Sequence, residues 1–171
     1  MPRPYSPTPT NVRHVVRPGV FLVSKTDIHG TITYANPAFI EISGYTEEEL
    51  LGQPHNMVRH PDMPRAVFQL LWETIKSGEE FWGYVKNLAK DGGYYWVYAH
   101  VTPTFDTRDG KIIGYHSDRR PPKEENLAII EPLYARMREA EQRGGIEAGR
   151  KVLESTLEQK GMSYEEFMFS L

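Results

Sequence analysis

EEFWGYVKNLAKDGGYYWVYAHVTPTFD, residues 79–106, is the stretch that decides the fold. Two runs rich in aromatic and β-branched residues flank Asp91-Gly92-Gly93, and a turn of this kind between such runs is a hairpin signal. KIIGYHSDRR (111–120) follows a second turn at Arg108-Asp109-Gly110, so the three runs read as an antiparallel meander. Alternation along the first strand groups Phe81, Gly83, Val85 and Asn87 on one face, against Trp82, Tyr84 and Lys86 on the other. Asparagine is disfavoured inside a strand, and an amide on an otherwise apolar face needs a partner. Asn87 is therefore the foremost candidate for a ligand contact, and Gly83 leaves room for a ring beside it.

Working outward, GVFLVSKTD (19–27) and Thr31–Tyr34 flank His29-Gly30 as a second hairpin. Helical punctuation fills the space between hairpin and meander. Asn36 before Pro37 reads as an N-cap with proline at the first helical position, and that helix closes at Gly44. Thr46 and Glu49 form a capping box ahead of Leu50, Leu51 and Gly52. RAVFQLLWETIK (65–76) is a longer helix, apolar on much of its circumference and hence mostly buried, with Asp62 expected as its cap. The order hairpin, short helices, longer helix, meander predicts an α+β fold: a five-stranded antiparallel sheet with the short helices on one face.

Residues 1–18 are rich in proline and arginine and lack an acid, which reads as an irregular lead-in. Residues 19–120 form the domain, and 121–171 a helical extension. In the extension, Leu127, Ile130, Tyr134 and Met137 share a helix face. Pro132 is expected to kink or restart that helix. A second helical stretch covers 145–160, and Ser163 opens YEEFMFSL, amphipathic and a candidate for docking. The meander is too aromatic to be wetted on its outer face, so a flanking helix or a partner is expected to cover it.

The bulk numbers exclude several classes. Lys+Arg total 20 against Asp+Glu 23, a net charge of −3, so no global field recruits nucleic acid or a membrane surface. The absence of cysteine removes disulfides, thiolate zinc sites, covalent haem attachment and cysteine–flavin photochemistry. No stretch approaches the roughly 20 apolar residues of a membrane span, and no signal peptide is visible, so the expected location is cytoplasmic. G-x-S-x-G and G-x-x-x-x-G-K are both missing. His55, His60 and Asp62 fit no metal-ligand spacing. The chain is expected not to be an enzyme.

The densest chemistry is HNMVRHPDMP, residues 55–64. Arg59 taken alone reads as a solvated loop arginine, although arginine's planar fork would suit a pyrophosphate better than lysine's point charge. His60 could donate to a phosphate or a ring carbonyl, or stack. Asp62 could orient either of them as well as cap the helix. Phe68, Trp72 and Phe81 are core residues by default, some of them within reach of a ligand.

SGYTEEELLGQPHNMVRHPDMP, followed by VKNLAKDGGYYWVYAHVTP, IIGYHSDRRPP and EPLY in that order, resembles the flavin-binding PAS domains of bacterial aerotaxis and energy-taxis receptors. The resemblance covers roughly 120 of the 171 residues and adds FAD, held non-covalently between helices and sheet, as the implied cofactor. The family's functional positions fall on Asn36, Arg59, His60, Asp62, Phe68 and Asn87. The family's tryptophan ahead of the first meander strand falls on Phe81, with Trp82 one position later and facing the other way. The resemblance further implies a redox or oxygen sensor whose partner is a methyl-accepting chemotaxis receptor or signalling domain. A second copy docked through the sheet or flanking helices is an alternative. Other readings are a haem sensor with His60, His100 or His116 as axial ligand, a ligand-free interaction module, and a flavin enzyme.

Overall fold

The computed structural model describes residues 6–171; the first five residues of the lead-in lie outside them. Five strands, β1 (Leu22–Thr26), β2 (Ile32–Ala35), β3 (Phe81–Leu88), β4 (Tyr94–Phe105) and β5 (Ile112–Arg120), form one antiparallel sheet in the order β2-β1-β5-β4-β3. The N-terminal hairpin and the meander join through β1 and β5, where Ser24 lies opposite Ser117 and Leu22 opposite Arg119. Across the meander Ala99 faces both Gly83 and Arg119. The inward row of each strand follows from that register.

Between hairpin and meander lie α1 (Pro37–Ser43), α2 (Glu47–Leu50), a single 3-10 turn (His55–Val58) and α3 (Arg65–Lys76). Asn36 caps α1 by accepting from the Phe39 amide, and Gly44 ends it at φ 77, a conformation that side chains resist. Thr46 and Glu49 complete the capping box of α2. Phe39, Leu50, Val58 and Val67 from this layer are buried against Leu22, Ile32 and Val97 of the sheet, each such side chain contributing about 1.5–3 kcal/mol.

The start of α3 departs from expectation. Pro64 occupies the cap position and no capping hydrogen bond comes from it. The Arg65 and Ala66 amides instead donate to the two carboxylate oxygens of Glu141, each at 2.9 Å. Asp62 lies two residues before Pro64, and its carboxylate is taken by Lys86 Nζ at 2.9 Å. A strand lysine claimed the expected cap, and a carboxylate from the extension replaced it.

That extension packs on its own domain. α4 (Glu124–Lys160) runs unbroken through Pro132 and breaks at Gly145, with φ 75 and ψ −167. The proline ring matches the helical φ and forfeits one hydrogen bond, whereas the backbone at Gly145 lies in a region essentially closed to other residues. The two arms fold back on each other: Arg136 Nη2 donates to Thr156 Oγ1 at 3.2 Å, and a Cβ on Gly149 would sit 2.6 Å from the Glu141 side chain. β3 is an edge strand, and α4 covers its free edge. The Tyr134 hydroxyl donates to the Tyr84 carbonyl at 2.7 Å, and Asn126 Nδ2 to the Tyr84 hydroxyl at 2.9 Å. An edge so occupied cannot recruit another strand there.

α5 (Tyr164–Ser170) straddles β3. Tyr164 stacks on Phe81 and Phe169 meets Trp82 edge-on, both at 5.6 Å between ring centroids, and neighbouring strand residues face opposite sides. The room beside Gly83 belongs to this helix, because a Cβ there would lie 2.7 Å from the Tyr164 hydroxyl. The lead-in also has a seat. Thr10 and His14 donate to the Gly92 and Tyr94 carbonyls, and Tyr94 returns a bond to Val12. Among the described residues no helix is long and apolar enough to cross a membrane.

Candidate functional site

The inner face of the sheet, the 3-10 turn and α3 border a cavity of about 500 Å³, within the range of small-molecule sites. Val58, Phe68, Leu71 and Ile75 form the helix side and Val85, Ala99 and Val101 the sheet side. At the mouth, exposed His29 and Lys76 flank half-buried Trp72. Gly30, at φ +84, lies under the Trp72 ring, which a Cβ would meet at 3.1 Å. Ser24, Ser117, His55, Arg59, Asn87 and Arg119 supply polar groups to the lining, which contains no carboxylate.

The residues singled out from the sequence divide into two sets. Arg59, Phe68, Trp72 and Asn87 line the cavity. Asn87 is buried on β3, and among the described residues no side-chain hydrogen bond engages its amide. The Arg59 guanidinium lies over the Phe68 ring, with Cζ 3.6 Å from its centroid, a cation–π contact. Trp72 stands edge-on to Tyr115 at 5.6 Å.

Asn36, His60, Asp62 and Phe81 lie outside the cavity lining. The Asn36 amide is spent on the backbone: Oδ1 accepts from Val23 and Phe39, and Nδ2 donates to the Phe21 carbonyl. His60 Nδ1 accepts from the Asp62 amide at 3.0 Å, and its ring stands edge-on to Tyr94. The Asp62 carboxyl is pushed up by burial, but the Lys86 hydrogen bond and charge, with those of His60 and Arg138, outweigh this and leave it below the ordinary value. Phe81 is stacked on Tyr164. These four shape the walls from behind. His100 and His116 stand on the outer face, near Asp118, so none of the three histidines considered for haem reaches the cavity.

A polar cluster of the lining, Arg119 with His55 and Ser24, was not anticipated as a site from the sequence. Arg119 is 3% exposed. Its Nη1 donates to His55 Nε2 at 2.9 Å, and its guanidinium lies 4.4 Å over the Phe39 ring. Ser24 Oγ meets the same imidazole nitrogen at 2.8 Å. An arginine only donates, so Nε2 must be bare and His55 neutral. Burial, reinforced by the Arg119 charge, pushes the His55 pKa down to about 3. Burial lowers the Arg119 pKa to about 10, which leaves it charged at neutral pH. Its Nε and Nη2 have no hydrogen-bond partner. The available signal was parity: Tyr115, Ser117 and Arg119 alternate inward along β5, and an arginine in that row calls for an anion or an acceptor.

Residues 32–117 match the family model described as the PAS fold. Over 113 residues the chain is 53% identical to the aerotaxis receptor of Escherichia coli (strain K12), a match covering 66% of this chain and 22% of the receptor. Over 98 residues it is 37% identical to the nitrogen fixation regulatory protein of Klebsiella pneumoniae, covering 57% of this chain and 20% of that one. The chain thus spans about a fifth of the length of these curated relatives, a receptor and a regulatory protein by name. Among solved structures, a light-oxygen-voltage domain studied with a flavin analogue superposes with a TM-score of 0.59 at 20% identity, covering 64% of this chain and 82% of that one. The dark structure of the Aureochrome1 LOV photoreceptor superposes with a TM-score of 0.57 at 24% identity, covering 63% and 80%. At those identities the superpositions speak to the fold alone. Sheet order, helices and family match agree, and the chain belongs to the PAS-fold family.

Proposed function

We propose that this chain is a redox or oxygen sensor that binds FAD non-covalently in the cavity and signals its state to a chemotaxis receptor. The observation that carries the reading is the cavity's donor set. Buried Arg119 and Asn87 are both in the lining, apolar walls surround them, and no carboxylate is among the lining residues. The 53% identity to an aerotaxis receptor over this same region supports the input. The lining fits a flat aromatic ring bearing carbonyl oxygens, and the rest of a dinucleotide extends toward the mouth.

When bound, FAD supplies a ring that takes up electrons and a proton and so changes its hydrogen-bonding pattern. Asn87 is suited to read that change, because an amide both donates and accepts. Arg59, held over Phe68, offers a fixed planar cation to the pyrophosphate. Phe68, Trp72 and Leu71 exclude water along one wall. Asn36 fixes α1 to β1, and Asp62 ties Lys86 to the loop beside Arg59, so both act on the pocket without touching ligand.

A change at Asn87 has a short path outward. The Tyr84 carbonyl on the same strand is held by Tyr134, and the α3 amides by Glu141, both on α4. Arg150 reaches Gln69 and Glu73 of α3 at 3.1 and 3.0 Å. α4 and α5 therefore present the shifted state to the receptor or its signalling domain. The test is a visible spectrum of the purified protein, with chromatography of whatever heat releases. A two-band flavin spectrum with FAD released is expected. A colourless protein that takes up no added FAD sinks the reading.

A further inference from the structure

The cavity contains a charge that the protein leaves unbalanced. Arg119 is almost fully buried on β5, and of its nitrogens only Nη1 has a partner, the neutral His55. The neighbouring carboxylate, Asp118, points to the opposite face, where it meets His100 at 3.2 Å. The cavity lining adds Arg59 and Lys76 and no acid. An uncompensated cation in a low-dielectric interior is costly, so it persists where a ligand supplies acceptors and negative charge. Arg59 is less suited to this role, because it is only half-buried and solvent screens it.

We infer that Arg119 sets the electron affinity of the bound flavin: its charge, buried at the cavity lining, holds the negative charge that the ring gains on reduction. This rests on the flavin reading above. The oxidised ring is neutral; two electrons and one proton leave it with a single negative charge. The electrons come from a low-potential donor, dithionite in the test, which is oxidised to sulfite, and the proton comes from water. Arg119 stays protonated throughout and transfers nothing. It stabilises the product more than the reactant, which is what a change in electron affinity requires.

The experiment loads wild type, Arg119→Gln, Arg119→Lys and, as a control outside the cavity, Arg120→Gln with FAD. Flavin per chain is measured first, and then the reduced-to-oxidised ratio against a reference dye at a fixed poise. Arg119→Gln is expected to lower that ratio at least tenfold, about 30 mV for a two-electron couple. Arg119→Lys keeps the charge and stays within about threefold, as does Arg120→Gln, whose side chain is exposed and outside the cavity lining. A flavin-loaded Arg119→Gln with an unchanged ratio overturns the assignment and leaves the flavin reading intact. If Arg119→Gln fails to fold or to load, Arg119→Lys decides: a tenfold fall there overturns the assignment to charge. A wild-type protein that takes up no FAD overturns both.

Discussion

Two helices flank the cavity, α3 lining it and α1 standing behind His55 of the 3-10 turn, and they are held at their starts in opposite ways. α1 is anchored locally: Asn36, directly before it, accepts from its first turn and also ties the strand amide of Val23. α3 has no cap of its own, and its first amides depend on Glu141, which lies 75 and 76 residues further along the chain. The first helix is therefore fixed by the sheet beside it. The second moves with the helical extension. Phe68 and Trp72 are on that second helix, so the part of the pocket most exposed to an outside influence is the part lined by α3.

Acid tests the α1 side and carries the largest expected effect. His55 stacks on Phe39 of α1 at 5.7 Å and is neutral in the fold, with its pKa pushed down to about 3. The unfolded chain binds a proton near the ordinary histidine value of about 6.5. Stability from this group is complete above that value and drains as pH falls from about 6.5 toward 3, by several kcal/mol on the order of linkage arithmetic. Urea titrations at stepped pH should show this slope, and His55→Gln should flatten it. An unchanged slope in the variant would separate His55 from the anchoring of α1.

The α3 side is tested by Glu141→Ala, which strands two backbone donors and should cost about 3 kcal/mol in urea unfolding. Amide exchange should quicken at the start of α3 while Phe39 keeps its protection. Equal quickening in both helices would erase the distinction between them. Asn36→Ala should cost about 2 kcal/mol, with the opposite exchange pattern: α1 and Val23 lose protection and α3 keeps it.

The smallest effect is expected from Asp62→Ala, under about 1 kcal/mol, because its pair with Lys86 is half-exposed and screened. A loss as large as that of Glu141→Ala would return the cap of α3 to Asp62. The contrast between the two helix starts would then disappear.

Much of this molecule is legible without coordinates because its signals are local. Turn glycines, the Asn36-Pro37 pair and the Thr46–Glu49 box act within four residues, and period-two alternation in the meander is a property of each strand alone. Asn87 was visible for the same reason, as a polar residue in an apolar row. Local pattern was enough for the sheet, the short helices and the row that faces inward. What each buried polar group meets was settled by packing. The closed fold gave Asp62 to Lys86, Glu141 to α3 and Tyr164 to the space beside Gly83, and it placed the break of α4 at Gly145 rather than Pro132. It also left Arg119 without a counter-charge in the cavity. Such pairings join residues far apart in the chain, and they are chosen by which group arrives within hydrogen-bond distance once the layers close, a quantity no local pattern carries.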